Sequence, residues 1–342
     1  MTRRSLYFVG PRELEIQKTP IPEPDSNELR VRTERSAISP GTELLVYTDS
    51  VSDDLSADLH LDALSGPLSY PLAYGYAAVG HVEAVGEAVD DDWIGRRVFA
   101  FHPHESHFCA TVEQLQVVPE EIPTAAATLF PSVETACTLV QDGNPRLGER
   151  VVVFGQGLIG LTTTALLAAF PIELITVDPV ASRRRLSEQL GATESVAPDA
   201  LGDVVQLPAD SPNGERAGAD LSYELSGNPA ALDSAISVTG YDGRIIVGSW
   251  YGTKRTELDF GGRFHRSRIS IASSQVSTID PSLRGRWDRN RRTSLAWDRL
   301  AQLPADELLT DEYPIEAAGE AYARLAQRAD DTLGICFSYD RP

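Results

Sequence analysis

Cysteine, lysine and long apolar runs are scarce in this chain of 342 residues. Its three cysteines, Cys109, Cys137 and Cys336, are widely spaced and odd in number. That excludes a disulfide framework and points to a reducing, cytoplasmic setting. No apolar run reaches the ~18–20 residues that a membrane span needs. The opening MTRRSLYFVGPRELEIQ lacks a long apolar core and a small-residue cleavage site, so no signal peptide is expected. Lysine occurs only as Lys18 and Lys254, so nearly all of the 30 basic residues are arginine. Against them stand 50 aspartates and glutamates, a formal net charge of -20. Such a surface repels phosphate-rich polymers, so neither nucleic acid nor an anionic membrane is an expected partner; a small-molecule substrate is. An acidic, lysine-poor surface suits a halophilic protein, because high salt screens the repulsion between like charges.

The length predicts two domains. Up to about residue 130 the chain is rich in short β-like runs punctuated by turn residues: LRVRTERSAI before Pro40-Gly41, YAAVGHVEAVGEAV, IGRRVFAF and FCATVEQLQVV. These predict a compact, partly open barrel. The acidic stretch around 49–66 reads as a surface loop or short helix. From about residue 132 strands and helices alternate: VVVF, LIGLTTTALLAAF, ELITVD, SRRRLSEQLGA, LSYELSG, NPAALDSAISV, RIIVGSW. That rhythm predicts crossover units on a parallel sheet, hence an α/β fold. From about residue 272 the character is mixed again, with helix candidates RRTSLAWDRLAQL and AAGEAYARLAQRA and a closing strand GICFSYD.

Residues 155–160, GQGLIG, match G-x-G-x-x-G between a strand and a helix, the context this motif requires. Gly155 permits the tight turn, Gly157 lets the backbone approach a pyrophosphate, and Gly160 lets helix and sheet pack closely. Gln156, Leu158 and Ile159 bring backbone N–H groups to the same anion at the helix start. Asp178 follows the first glycine by 178 − 155 = 23 residues, at the end of the next strand. An acid there bonds the ribose hydroxyls and repels a 2′-phosphate, which favours NAD. Arg183, Arg184 and Arg185 leave NADP open, because any of them can pair with a 2′-phosphate.

These residues carry a wider resemblance. GTEL at 41–44 resembles C-G-T-D-L, YGYAAVGHVEAVG at 74–86 resembles G-H-E-x-x-G-x-V-x-x-V-G, and IGRRVF at 94–99 resembles I-G-D-R-V. With the glycine motif and SGNPAALDSA at 226–235, the chain resembles a medium-chain dehydrogenase/reductase of the zinc-type alcohol dehydrogenase kind over nearly its whole length. The resemblance implies a GroES-like β-rich catalytic domain at 1–131 and 272–342. A Rossmann doubly wound parallel-sheet domain is inserted at 132–271. It also implies a homodimer or homotetramer, and a loop at Ser226, Gly227 and Asn228 that passes over the nicotinamide. SAISPGTE, AYGYAAVGHVE, FAFHPHESHF and SVETACTL further resemble a subgroup related to bacteriochlorophyllide (hydroxyethyl-chlorin) dehydrogenases.

The departures from that family concern its metal. Pro40 or Ser39 stands at the zinc-binding cysteine, Tyr76-Ala77 at His-Glu, and Phe130-Pro131 at the Glu-Pro of polyol dehydrogenases. The four-cysteine lobe for structural zinc is missing as well. Zinc takes thiolate, imidazole or carboxylate, so no zinc is expected. Hydrogen-bond donors must then stabilise a developing alkoxide. Thr42 matches the family's Ser/Thr that relays the alcohol proton, and Tyr76 brings a phenol to a former ligand position. His102, His104, His107 and Cys109 are a second source of chemistry, as metal ligands, as a solvated loop, or with His104 as an active-site acid. Glu134 reads as a helix-start carboxylate or a donor-orienting group. The arginines of RGRWDRNRR read as an anion grip or a salt-bridged helix face. The expected activity is NAD(P)-linked hydride transfer with an alcohol or ketone. Reduction of quinones or activated C=C bonds, and dinucleotide binding without catalysis, remain open beside it.

Overall fold

The computed structural model describes residues 2–52, 62–64, 66–205, 218–327 and 330–339. Most of the acidic stretch at 49–66 lies outside these residues. No helix among them is long and apolar enough to cross a membrane. The chain forms two compact units, 1–131 with 300–342, and 132–299.

In the first unit, Glu28–Ala37 is the central strand of a seven-stranded sheet. It runs antiparallel to Ala78–Val85, His107–Thr111 and Gly334–Ser338. Its alternation buries Leu29, Val31 and Thr33 on one face. Gly80 is required where these strands cross closely, since a Cβ there would lie 2.1 Å from the Arg32 carbonyl oxygen. A second, three-stranded sheet pairs Thr2–Gly10 with Glu13–Pro20 and Leu72–Ala73. Leu6, Phe8, Tyr74, Tyr322 and Phe337 share one core, to which both chain ends contribute. The P-G-T-E segment opens a helix, Pro40–Tyr47, rather than a plain turn. Proline suits the first helical position, where its missing N–H costs nothing.

In the second unit six strands form a wholly parallel sheet. Their order is Glu194–Val196, Glu173–Val177, Arg150–Phe154, Ala219–Glu224, Thr239–Val247, Ser270–Ser273. Val151, Val152 and Val153 are fully buried, as a central parallel strand covered on both faces requires. The sheet order reverses beside Arg150–Phe154, where open α/β sheets take their ligands.

The segment 272–299, which the sequence assigns to the first domain, belongs to this second unit. Ser270–Ser273 runs across that boundary and pairs with Thr239–Val247. Arg292, on the helix Arg289–Leu300, is buried against Glu134 at 3.1 Å and also donates to Thr138. Glu134 therefore anchors this helix.

Candidate functional site

In the first unit three hydroxyls meet at the start of the helix Pro40–Tyr47. Tyr76 donates to Ser39 Oγ and lies 3.1 Å from Thr42 Oγ1. Ser39 is the N-cap, and its side chain makes no capping bond to the helix backbone. All three residues are half-buried, and Gly41 between them is exposed. Below this layer lies a fully buried one. Glu43 Oε1 accepts the Ser39 backbone N–H at 2.7 Å. Glu43 Oε2 meets His104 Nε2 at 3.0 Å and accepts the Tyr322 hydroxyl. His104 Nδ1 lies 2.7 Å from Ser36 Oγ, which lies 2.7 Å from the Tyr339 hydroxyl. Burial beside the Glu43 carboxylate pushes the Tyr322 hydroxyl well above its ordinary range.

This arrangement corrects the reading of His104 as an active-site acid. His104 is 0% exposed and both its ring nitrogens are already bonded, so it offers no position to a substrate. Thr42 and Tyr76 are brought together; His104 stands behind them. The sequence reading missed Glu43 and gave Ser39 no role beyond its place at the former cysteine. The available signal was the acid retained in P-G-T-E four residues after Ser39, a spacing that lets a carboxylate reach back to the helix start.

The positions at which the resemblance places zinc ligands do not fit the metal. Ala77 and Phe130 are packed in the core, Phe130 against Phe99 with ring centroids 5.0 Å apart. Ser39 and Tyr76 supply neutral hydroxyls, not the thiolate, imidazole or carboxylate that zinc takes. FHPHESHFC does not converge either. His102 stacks on Phe108 at 4.0 Å, and burial lowers its pKa to about 4. His107 faces Glu83 at 3.6 Å, and burial pushes the Cys109 thiol up to about 11. Among the described residues no three His, Cys, Asp or Glu side chains are arranged to hold a metal ion.

The second unit carries the glycine cradle. Gly155 has φ +88°, and a Cβ there would lie 2.4 Å from Ser226 Cα. A Cβ on Gly160 would strike the Gly155 carbonyl oxygen at 1.9 Å. At Gly157 a Cβ would meet nothing within 4 Å, so space lies open over the loop. The helix Leu158–Leu167 begins there. Its first intrahelical bond, Leu161 N–H to Gly157 O at 2.9 Å, leaves the N–H groups of 158–160 directed out of its positive end. A glycine loop and helix start of this form suit a dinucleotide pyrophosphate.

Gln156 does not bring its N–H to the anion as expected: its side chain is turned inward to Thr164 and the Gly155 carbonyl, and its backbone N–H is given to Asp178. Asp178 accepts from the N–H groups of Gln156 at 2.7 Å and Val180 at 2.8 Å. Arg184 is engaged by the Asp178 and Pro179 carbonyls, both at 2.8 Å, while Arg183 sits half-buried in the first turn of Ala181–Gln189. The Ser226-Gly227 loop is held by the buried Glu224. Glu224 accepts from Ser226 N–H at 2.8 Å and from the Tyr251 hydroxyl at 2.5 Å. Gly227 itself, at φ +67°, donates to Ser249 Oγ at 2.9 Å.

Residues 159–289 match the sequence profile of the family described as zinc-binding dehydrogenase. The chain is 26% identical over 272 residues to D-guloside 3-dehydrogenase of Escherichia coli (strain K12), covering 77% of each protein. It is 28% identical over 234 residues to (R,R)-butanediol dehydrogenase of Bacillus subtilis (strain 168), covering 60% of this chain and 64% of that protein. The fold is shared with an Escherichia coli CFT073 alcohol dehydrogenase solved with NADH, at a TM-score of 0.75, 17% identity and 99% coverage of both chains. The profile match lies wholly within the cradle-bearing unit, while the relatives span most of the chain. Residues 159–289 thus carry a zinc-binding-dehydrogenase match, and the chain as a whole is similar to alcohol and polyol dehydrogenases: it is an alcohol-dehydrogenase-like oxidoreductase.

Proposed function

We propose that the protein is a zinc-independent, NAD-linked dehydrogenase of a secondary alcohol, or the reductase of the corresponding ketone. One observation carries this reading: the residue at a former zinc-ligand position, Tyr76, is hydrogen-bonded to Thr42, the match to the family's proton-relaying hydroxyl. Bound at the cradle, the nicotinamide supplies the hydride acceptor or donor. The chain's own residues handle the proton. Thr42 and Tyr76 bond the substrate oxygen and relay its proton outward to solvent, the hydroxyl that takes the proton releasing its own, as the carbinol C–H is lost as hydride to the nicotinamide. In the reverse direction they return that proton to the carbonyl oxygen. The helix start beneath them favours the developing negative charge. The secondary-alcohol class is supported by the names of the relatives, a sugar 3-dehydrogenase and a butanediol dehydrogenase. Asp178 supports NAD over NADP. The zinc-lacking subgroup, a halophilic cytoplasm and a closed homodimer or homotetramer belong to the same reading. The mostly exposed edge strand Ser270–Ser273 supports self-association.

The test is oxidation of (R,R)-2,3-butanediol and a panel of sugars and polyols with NAD+. Thr42→Ala and Tyr76→Phe are each expected to lower kcat by about 10²-fold, the scale of a lost proton-transfer group, with NADH affinity unchanged. Wild-type rates in both variants would overturn the reading. Turnover of quinones or enones alone would assign the protein to C=C and quinone reduction.

A further inference from the structure

Ser39, Tyr76 and Thr42 make a half-buried layer of hydroxyls, and nothing covalent fixes their spacing. A metal site holds its donors by coordination, whereas hydroxyls on a loop and a helix start must be held by the protein beneath them. Glu43 is the residue beneath. It is 0% exposed, and its two oxygens take three partners from three separate parts of the first unit. Oε1 accepts the Ser39 N–H at 2.7 Å. Oε2 meets His104 Nε2 at 3.0 Å, from the FHPHE segment, and the Tyr322 hydroxyl, from the C-terminal helix Ala318–Ala326.

His104 is in turn held on both sides. Ser36 and Tyr339 continue the chain beyond Nδ1. Gly75 makes room for the ring, since a Cβ there would lie 2.6 Å from His104 Nε2. Gly75 also immediately precedes Tyr76. The same imidazole therefore packs against the backbone next to Tyr76, at Gly75, and braces the acid under Ser39.

We propose that the buried Glu43–His104 pair positions the Ser39–Tyr76–Thr42 hydroxyls, Glu43 acting through the Ser39 N–H and His104 through its contact beneath Gly75. Neither residue touches substrate. The hydrogen bonds support this role and no proton relay, because the link from Glu43 to the hydroxyl layer is a backbone N–H, which does not pass a proton on. A catalytic function for the hydroxyls rests on the function proposed above; their positioning is tested independently of it.

The experiment is 19F NMR of the protein labelled with 3-fluorotyrosine at its 11 tyrosines, with Tyr76→Phe assigning the Tyr76 signal. Glu43→Ala is expected to move that signal by more than its linewidth. Glu43→Gln, whose amide oxygen still accepts the Ser39 N–H, is expected to restore most of it. The signals of Tyr241 and Tyr251, in the second unit, serve as controls and stay in place. If Glu43→Ala does not fold, Tyr322→Phe and Ser36→Ala each remove one bond from the network and should move the Tyr76 signal less. An unmoved Tyr76 signal in the folded variants overturns the positioning role.

Turnover separates the two claims. The account expects Glu43→Ala to lower kcat by about 10-fold to 100-fold at unchanged KM, the scale of an ångström-level misplacement. If Glu43→Ala moves the Tyr76 signal while Tyr76→Phe leaves turnover intact, the positioning stands and the proposed function falls. If Tyr76→Phe is crippled while the Tyr76 signal ignores Glu43, the positioning falls alone.

Discussion

Asp178 holds two backbone N–H groups, one on each carboxylate oxygen, and each oxygen keeps a lone pair for a ribose hydroxyl. The same side chain shapes the glycine loop and, in the function proposed above, favours NAD. Asp178→Ala should weaken NADH binding by about 10- to 100-fold, the range for a lost charged hydrogen bond, and NADPH binding by less. Fluorescence titration with both cofactors reads this, and an equal loss for the two would refute the selective role. His102 illustrates the opposite case, a titratable group silenced by packing. Burial is the main cause of its depressed pKa, about 4 against an ordinary value near 6.5. The unfolded chain then binds more protons between those values, so this residue's share of stability is whole above pH 6.5. It is lost as the pH falls towards 4. His102→Gln should flatten the fall in melting temperature over that window relative to the natural protein. An identical slope in the two proteins would show that His102 does not titrate in this way.

At the scale of elements, the helix Arg289–Leu300 is tied to the second unit by the Arg292–Glu134 pair, buried on both sides. Arg292→Ala leaves a buried carboxylate without its partner and should cost about 3–5 kcal/mol, read as a drop in the midpoint of chemical denaturation. A change below 1 kcal/mol, the size of an exposed pair, would mean that water reaches the pair. This tie also explains which parts of the fold were legible in the sequence. VVVF, the glycine motif and the strand–helix rhythm after residue 132 are local patterns, and each maps onto an observed element. The end of the second unit is set by a partnership between residues 134 and 292, which no local pattern carries. The candidate site divides in the same way. Thr42 is visible as a match within a motif and Tyr76 as a replacement within one. The place of His104 depends on long-range bonds to Ser36 and Glu43, so its sequence neighbours suggested chemistry while its spatial neighbours give it a supporting role.

Over the whole molecule, a net charge of -20 makes the folded state self-repelling at low salt. Screening shortens from about 10 Å to about 3 Å between 0.1 and 1 M salt, so the melting temperature should climb across that range and beyond. A flat or falling dependence on KCl would remove the halophilic reading. In the proposed function the second unit takes the dinucleotide, and the first presents hydroxyls at positions where the family that the sequence resembles carries zinc ligands. The measurement that bears most directly on this account is the zinc content of untagged, undialysed and catalytically active protein by elemental mass spectrometry. The account predicts turnover with zinc far below stoichiometric, because Ser39, Tyr76, Ala77 and Phe130 supply no set of zinc ligands. A single tightly held zinc per chain, lost together with activity on chelation, would contradict it.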